Sequence, residues 1–244
     1  MKKYLLLIGL LAAAKAGHAQ SIASGTVSLT GNIGYSRSTN TNTSGASFGA
    51  IGGVITRVSY TTETTNSQFN TAVSGGYFVA DNLAVGLNVG FSTSSSSQKI
   101  TASSTIGPIP TVLPSLKPNN LVQAGAFVQY YNFFSEQFGV VGTLGGGYQH
   151  GKAYAYSSGI TPEATSYSSN GYYASLTPGI VFFPIPKIGI SASIGSLGFS
   201  HLSNDFPESA GSIPPDGYEN TSNFFGANFG LNQLQFGATY YFGR

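Results

Sequence analysis

The sequence predicts an all-β fold, an eight-stranded antiparallel up-and-down barrel that crosses a membrane. Three observations predict it. Apolar and small polar residues alternate with period two through long segments. Short turns alternate with long hydrophilic connections. Charge is almost absent, with 10 Lys+Arg and 8 Asp+Glu in 244 residues, or 7%, against roughly 25% in an ordinary soluble domain. A surface so poor in charge suits water badly, and the 15 Tyr and 17 Phe argue against disorder.

Residues 1–19 read as a secretory leader. Lys2 and Lys3 precede an apolar run over 4–14, and Gly17-His18-Ala19 offers a small-x-small cleavage site. That run is too short to span a bilayer as a helix, which takes about 20 residues. The mature domain is then expected to cover 20–244. Loss of Lys2, Lys3 and Lys15 leaves seven basic and eight acidic groups. No basic stripe remains, so nucleic-acid binding is not expected. Without Cys, neither a lipid anchor on a thiol nor disulfides are expected.

No second apolar stretch reaches 18 residues, which leaves strands as the spanning element. In 83–91 the residues Leu83, Val85, Leu87, Val89 and Phe91 alternate with Ala84, Gly86, Asn88 and Gly90. Segments 27–35, 188–195 and 234–242 alternate in the same way. Their polar faces carry Ser, Thr, Asn, Gln and Gly rather than Lys and Glu. That suits a face turned to a barrel interior while the apolar face meets lipid.

Three tight turns, Ala80-Asp81-Asn82, Ser135-Glu136-Gln137 and Pro184-Ile185-Pro186-Lys187, set the count. Reading outward from them gives strands over 25–37, 68–79, 83–97, 119–133, 138–156, 170–183, 188–201 and 222–242. The long connections 38–67, 98–118, 157–169 and 202–221 are expected as external loops. Every second strand ends in aromatics: Tyr77-Phe78, Tyr130-Tyr131 with Phe133-Phe134, Phe182-Phe183, and Tyr240-Tyr241-Phe242. These are expected to form a girdle at the membrane interface. Pro178 cannot donate a ladder hydrogen bond, so a bulge or break is expected there.

The hairpin Gly76-Tyr77-Phe78-Val79-Ala80-Asp81-Asn82-Leu83-Ala84-Val85-Gly86-Leu87, the segments Gly125-Ala126-Phe127-Val128-Gln129-Tyr130-Tyr131 and Gly195-Ser196-Leu197-Gly198-Phe199-Ser200, and the end Phe236-Gly237-Ala238-Thr239-Tyr240-Tyr241-Phe242 together resemble the OmpA/OmpX-like eight-stranded outer-membrane β-barrel domain family. The resemblance implies the outer membrane as the location, with outer-membrane lipid, lipopolysaccharide and the barrel-assembly machinery as partners. A terminal aromatic usually ends such chains, whereas Gly243 and Arg244 follow Phe242 here.

An eight-stranded barrel has room inside for side chains only. Gln123 and Gln129, with Thr143, Gly145, Gly147 and Gln149, are expected to fill it as an uncharged polar core. No ring of charge is available to select ions, so a narrow pore is a subordinate reading. No phosphate-binding loop and no His-Glu-x-x-His motif occurs, and no cofactor is expected. The acids Asp205, Glu208, Asp216 and Glu219 cluster in the last loop without the spacing of a calcium loop, so no metal is expected.

One enzymatic alternative has residues. His201-Leu202-Ser203-Asn204, followed by Asp216-Gly217-Tyr218-Glu219, is similar to a motif of outer-membrane lipid A deacylases. That resemblance implies His201 as base, Ser203 as nucleophile and Glu219 as the orienting carboxylate. Against it, His201 shares the parity of Ser191 and Ser193, which turns it inward unless a bulge intervenes. The leading expectation is a non-catalytic barrel with an envelope-structural or surface-interaction role and external loops whose ligand is unknown.

Overall fold

The computed structural model describes residues 21–51, 54–104, 107–111, 116–156, 164–205 and 220–243. The leader and most of the last external loop, Glu208, Asp216 and Glu219 included, lie outside the described residues. What is described is an all-β antiparallel sheet. Its strands are β1 Val27–Ile51, β2 Val54–Ala80, β3 Leu83–Ser104, β4 Gly107–Thr111, β5 Asn119–Phe133, β6 Phe138–Tyr156, β7 Ala164–Ile185, β8 Ile188–Ser193, β9 Gly195–Asp205, β10 Thr221–Phe229 and β11 Gln235–Phe242.

The count is therefore eleven segments, not the expected eight uninterrupted strands. Two expected strands are broken. The one over 188–201 divides at Ile194 into β8 and β9. The one over 222–242 divides at Gly230 and a short 3-10 turn, Leu231–Gln233, into β10 and β11. β4 is an added short strand beside β3. The expected loop 38–67 is also largely strand. β1 and β2 stay paired from Val27 and Tyr77 to Ile51 and Val54. The reason is local: Ser, Thr and Asn line both faces there. Such a hairpin shows no apolar alternation, while Thr still favours the extended backbone.

Hydrogen-bonded neighbours run β1–β2–β3–β5–β6–β7–β8–β11 and return from β11 to β1. Higher up, β7 pairs with β9 and β9 with β10. There the ladder has two ends among the described residues: β1 beyond Gly34 pairs only with β2, and β10 only with β9.

Side-chain parity follows the alternation. On β3, Leu87 is 70% exposed and Ala84 fully buried. On β7, Tyr172, Leu176 and Ile180 face out while Val181 and Phe183 are buried inside. From Phe182 to Tyr172 is ten residues, as is Phe138 to Tyr148 on β6. At about 3.3 Å per residue and a tilt near 40°, that gives an apolar band about 25 Å tall, the height of a barrel's lipid-facing belt.

Glycines on the inner face make room for aromatic rings. Phe127, buried inside, lies across Gly76 and Gly86. A Cβ on Gly86 would sit 2.5 Å from the Phe127 ring and would also meet the carbonyl of Gly75. A Cβ on the outward Gly142 meets nothing within 4 Å. We therefore expect Gly86→Leu to cost about 2–3 kcal/mol or more by overpacking, and Gly142→Leu to cost less than about 0.5 kcal/mol. Urea-unfolding midpoints of the two variants in one detergent or lipid vesicle check this.

Candidate functional site

Two regions carry the side chains from which function can be argued: the interior, and the outward face high on β6, β7, β9 and β10.

At the turn end the interior is closed by aromatic rings. Phe78, Tyr131, Phe133, Phe183 and Tyr241 are all at most 4% exposed. Their rings form a circuit: Phe78–Tyr131 at 5.7 Å between centroids, Tyr131–Phe133 at 6.2, Phe133–Phe183 at 5.5, Phe183–Tyr241 at 5.3 and Tyr241–Phe78 at 6.1 Å. Ile22, fully buried, fills the same cluster. Its amide donates to Asn82 Oδ1 at 2.8 Å, and the Asn82 amide donates back to its carbonyl at 2.9 Å. Asn82 sits in the tight turn with φ 63°, a conformation that Asn tolerates better than most residues. The hairpin turn thus anchors the segment that carries the cork.

This corrects the girdle expectation. Each terminal aromatic pair divides by parity. Tyr77, Tyr130, Phe134, Tyr240 and Phe242 are outward and half exposed, while their neighbours build the plug. Only the outward half is available to an interface.

Above the plug the expected polar core is present. Tyr241 OH donates to Tyr131 OH at 3.3 Å, Tyr131 OH to Gln129 Oε1 at 3.2 Å, and Gln129 Nε2 to Thr143 Oγ1 at 3.1 Å. Gln123 Nε2 donates to Gln149 Oε1 at 3.1 Å, and Gln149 Nε2 to Ser200 Oγ at 2.7 Å. Gln129, Tyr131, Thr143 and Tyr241 bound a cavity of about 220 Å³ with Asn32, Asn88, Tyr173 and Thr239 on its walls and no charged residue among its lining.

The outward region depends on Pro178. Pairing with β6 runs through it unbroken, Pro178 opposite Gly142. On its other side the ladder slips. Leu176 opposes Leu197 and Gly179 opposes Ser193, so two residues of β7 face three, 194–196. The missing N–H of Pro178 forfeits a rung, and the extra residue is absorbed as a bulge. Gly195 takes φ 134° there, and a Cβ on it would run into the backbone of Asn228 and Phe229. The break expected at Pro178 thus appears on the strand beside it.

That bulge reverses parity. Ser200 bonds Gln149 inside, and Ser169 Oγ donates to Asn204 Oδ1 at 2.6 Å, also inside. His201 and Ser203 therefore point outward, contrary to the inward position that Ser191 and Ser193 implied. His201 Nδ1 lies 2.6 Å from Asn223 Oδ1, so Nδ1–H donates and Nε2 is left as the acceptor. No hydrogen bond joins Ser203 to His201 among the described residues, and Glu219 lies outside them. The structure thus brings two of the three candidate residues to one face and sets Asn223 against His201 Nδ1.

A second pair repeats the arrangement. His150 Nδ1 lies 2.6 Å from Asn170 Oδ1, which also accepts from Tyr148 OH at 2.8 Å. Tyr148 and Tyr172 meet edge to face at 6.0 Å. Sequence reasoning missed Asn170, Asn223 and this cluster. Only cross-strand register brings them together, and the long connections between these strands leave register unspecified.

No protein-family model matches the chain, and no curated protein sequence matches it. Among solved structures, the outer membrane protein OprG from Pseudomonas aeruginosa is similar at 13% identity and a TM-score of 0.49, over 93% of this chain and 100% of that one. The outer membrane protease OmpT from Escherichia coli is similar at 10% identity and a TM-score of 0.32, over 93% and 96%.

The plug generates a stability prediction. Tyr131→Ala should cost about 3–5 kcal/mol, since it opens a cavity in the ring circuit. Tyr131→Phe should cost about 1 kcal/mol for the lost hydroxyl bonds. Chemical unfolding in detergent micelles, followed by circular dichroism, measures both.

Proposed function

We propose that the chain is an integral outer-membrane β-barrel of eight strands, sealed at its periplasmic end, with an envelope-structural or surface-interaction role. In this reading β8 with β9, and β10 with β11, are two interrupted strands, and β4 is an outgrowth of β3. The observation that carries it is the combination of a ladder returning on itself with an apolar outer band and an aromatic plug inside. Lipid cannot satisfy backbone groups, so strands can cross it only when their ladder closes. The first and last described residues lie at the plugged, short-turn end, and the Ser/Thr/Asn-rich ends of the strands face outside. The cavity above the plug has no charged lining and is blocked by rings at the turn end, which favours a scaffold over a pore.

Two results are expected. The purified chain should run faster on a gel unheated than boiled, and it should show no single-channel steps in planar bilayers. Joint replacement of Phe78, Tyr131, Phe183 and Tyr241 by Ala, if it inserts, should produce conductance. Steps from the unmodified chain would contradict a sealed barrel.

A second reading, an acyl-ester hydrolase, is supported by one observation: the bulge beside Pro178 turns both His201 and Ser203 toward the lipid side. Asn223 would then orient His201 as an Asn does in Cys-His-Asn proteases. The leading reading expects no release of 3-hydroxy fatty acid from lipopolysaccharide above the level of Ser203→Ala. Release abolished by that substitution would establish the hydrolase instead.

A further inference from the structure

We infer that the outward face of β5, β6, β7 and β9 holds a site for one outer-leaflet lipid, an acylated phosphosugar. It rests on the barrel reading above. Two concavities on this face are stacked in the order an amphiphile requires.

The lower one is an apolar groove of about 680 Å³. Ala126, Gly146 and Ala174 stand side by side in the register of β5, β6 and β7 and make its floor. Leu87, Val128 and Leu144, all well exposed, make its walls. A row of small residues among large ones leaves a trough on a face that otherwise presents bulky side chains. Trough and acyl chain match in width and polarity.

One step up the strands lies Tyr148 beside Tyr172. The next step holds His150, Asn170 and Ser203 in one row, and the one after it Lys152, Ser168 and Asp205. From the groove floor to Lys152 is six residues, about 20 Å along the strand and about 15 Å along the membrane normal at the usual tilt. That places the tyrosines at the interface and the upper rows among headgroups.

The upper concavity, of about 410 Å³, is lined by His150, Lys152, Ser166, Tyr167, Ser168 and Asp205. Lys152 Nζ stands 5.9 Å over the Tyr154 ring. An ammonium and two serine hydroxyls suit a phosphate, and the imidazole, its Nδ1–H committed to Asn170, offers Nε2 as an acceptor to a sugar hydroxyl. The Asp205 carboxylate disfavours a bare phosphate but accepts hydrogen bonds from hydroxyl and amide groups. A headgroup presenting a phosphate together with sugar hydroxyls satisfies both.

The test uses the full chain folded in detergent micelles, titrated with lipid A or with phosphatidylglycerol and read by native mass spectrometry. One lipid A per chain is expected to persist, with phosphatidylglycerol held at least about tenfold more weakly. His150→Ala with Lys152→Ala should weaken lipid A at least tenfold by removing the headgroup contacts. Ala126→Leu with Ala174→Leu, which fills the groove from the lipid side, should do the same. Unchanged retention in both variants, or equal retention of phosphatidylglycerol, overturns the site. Gel migration of every variant is measured alongside: a chain that never shows the faster unheated band overturns the barrel reading, whereas a folded chain indifferent to the substitutions overturns only the lipid site.

Discussion

Inside a bilayer a backbone amide has no water to bond to, and each group left unpaired costs several kcal/mol. On the barrel reading proposed above, this constraint explains more of the chain than any single contact. It accounts for a sequence whose long segments alternate, and for neighbours that hold one register over many residues, as β2 and β3 do from Phe78 opposite Ala84 to Val58 opposite Ser104. It also explains why a proline in the middle of β7 leaves a structural trace. Pro178 withholds one donor, and the strand beside it takes up an extra residue with Gly195 at its centre.

Closing a ladder creates a second demand, because the enclosed space must be filled. Charges would be costly there without partners, and the chain supplies almost none. It uses amides and hydroxyls in mutual hydrogen bonds, as in the run from Tyr241 through Tyr131 and Gln129 to Thr143. Rings take the space that glycines leave, as Phe127 does at Gly76 and Gly86. At the turn end five aromatic side chains and Ile22 take over entirely. In the proposed barrel the scarcity of charge in the sequence is therefore a property of both faces: lipid would exclude it outside, and tight polar packing replaces it inside.

The alternation made much of this legible beforehand. Strands over 119–133 and 138–156 coincide with β5 and β6, and the interior positions of Gln123, Gln129, Thr143 and Gln149 follow from parity alone. Three features were hidden, each for a physical reason. The polar extension of β1 and β2 lacks an apolar face, so no periodicity marks it. The aromatic plug is hidden because adjacent aromatics look like one interface group, although period two sends neighbours to opposite sides. The outward position of His201 and Ser203 depends on a bulge that Pro178 announces but does not locate. Parity beyond a bulge cannot be assigned until the bulge is placed.

The account stands on one claim, that alternate residues of a single strand meet lipid and a sealed interior. The chain has no Cys, so single cysteines can be introduced along β7 from position 170 to 183 without interference. Labelled with a fluorophore in vesicles and challenged with quenchers dissolved in the lipid, even positions from 172 to 182 should quench strongly and odd positions weakly, with a sharp period of two. Quenching without that period, or water-soluble quenchers reaching the even positions as readily as the odd ones, would contradict it.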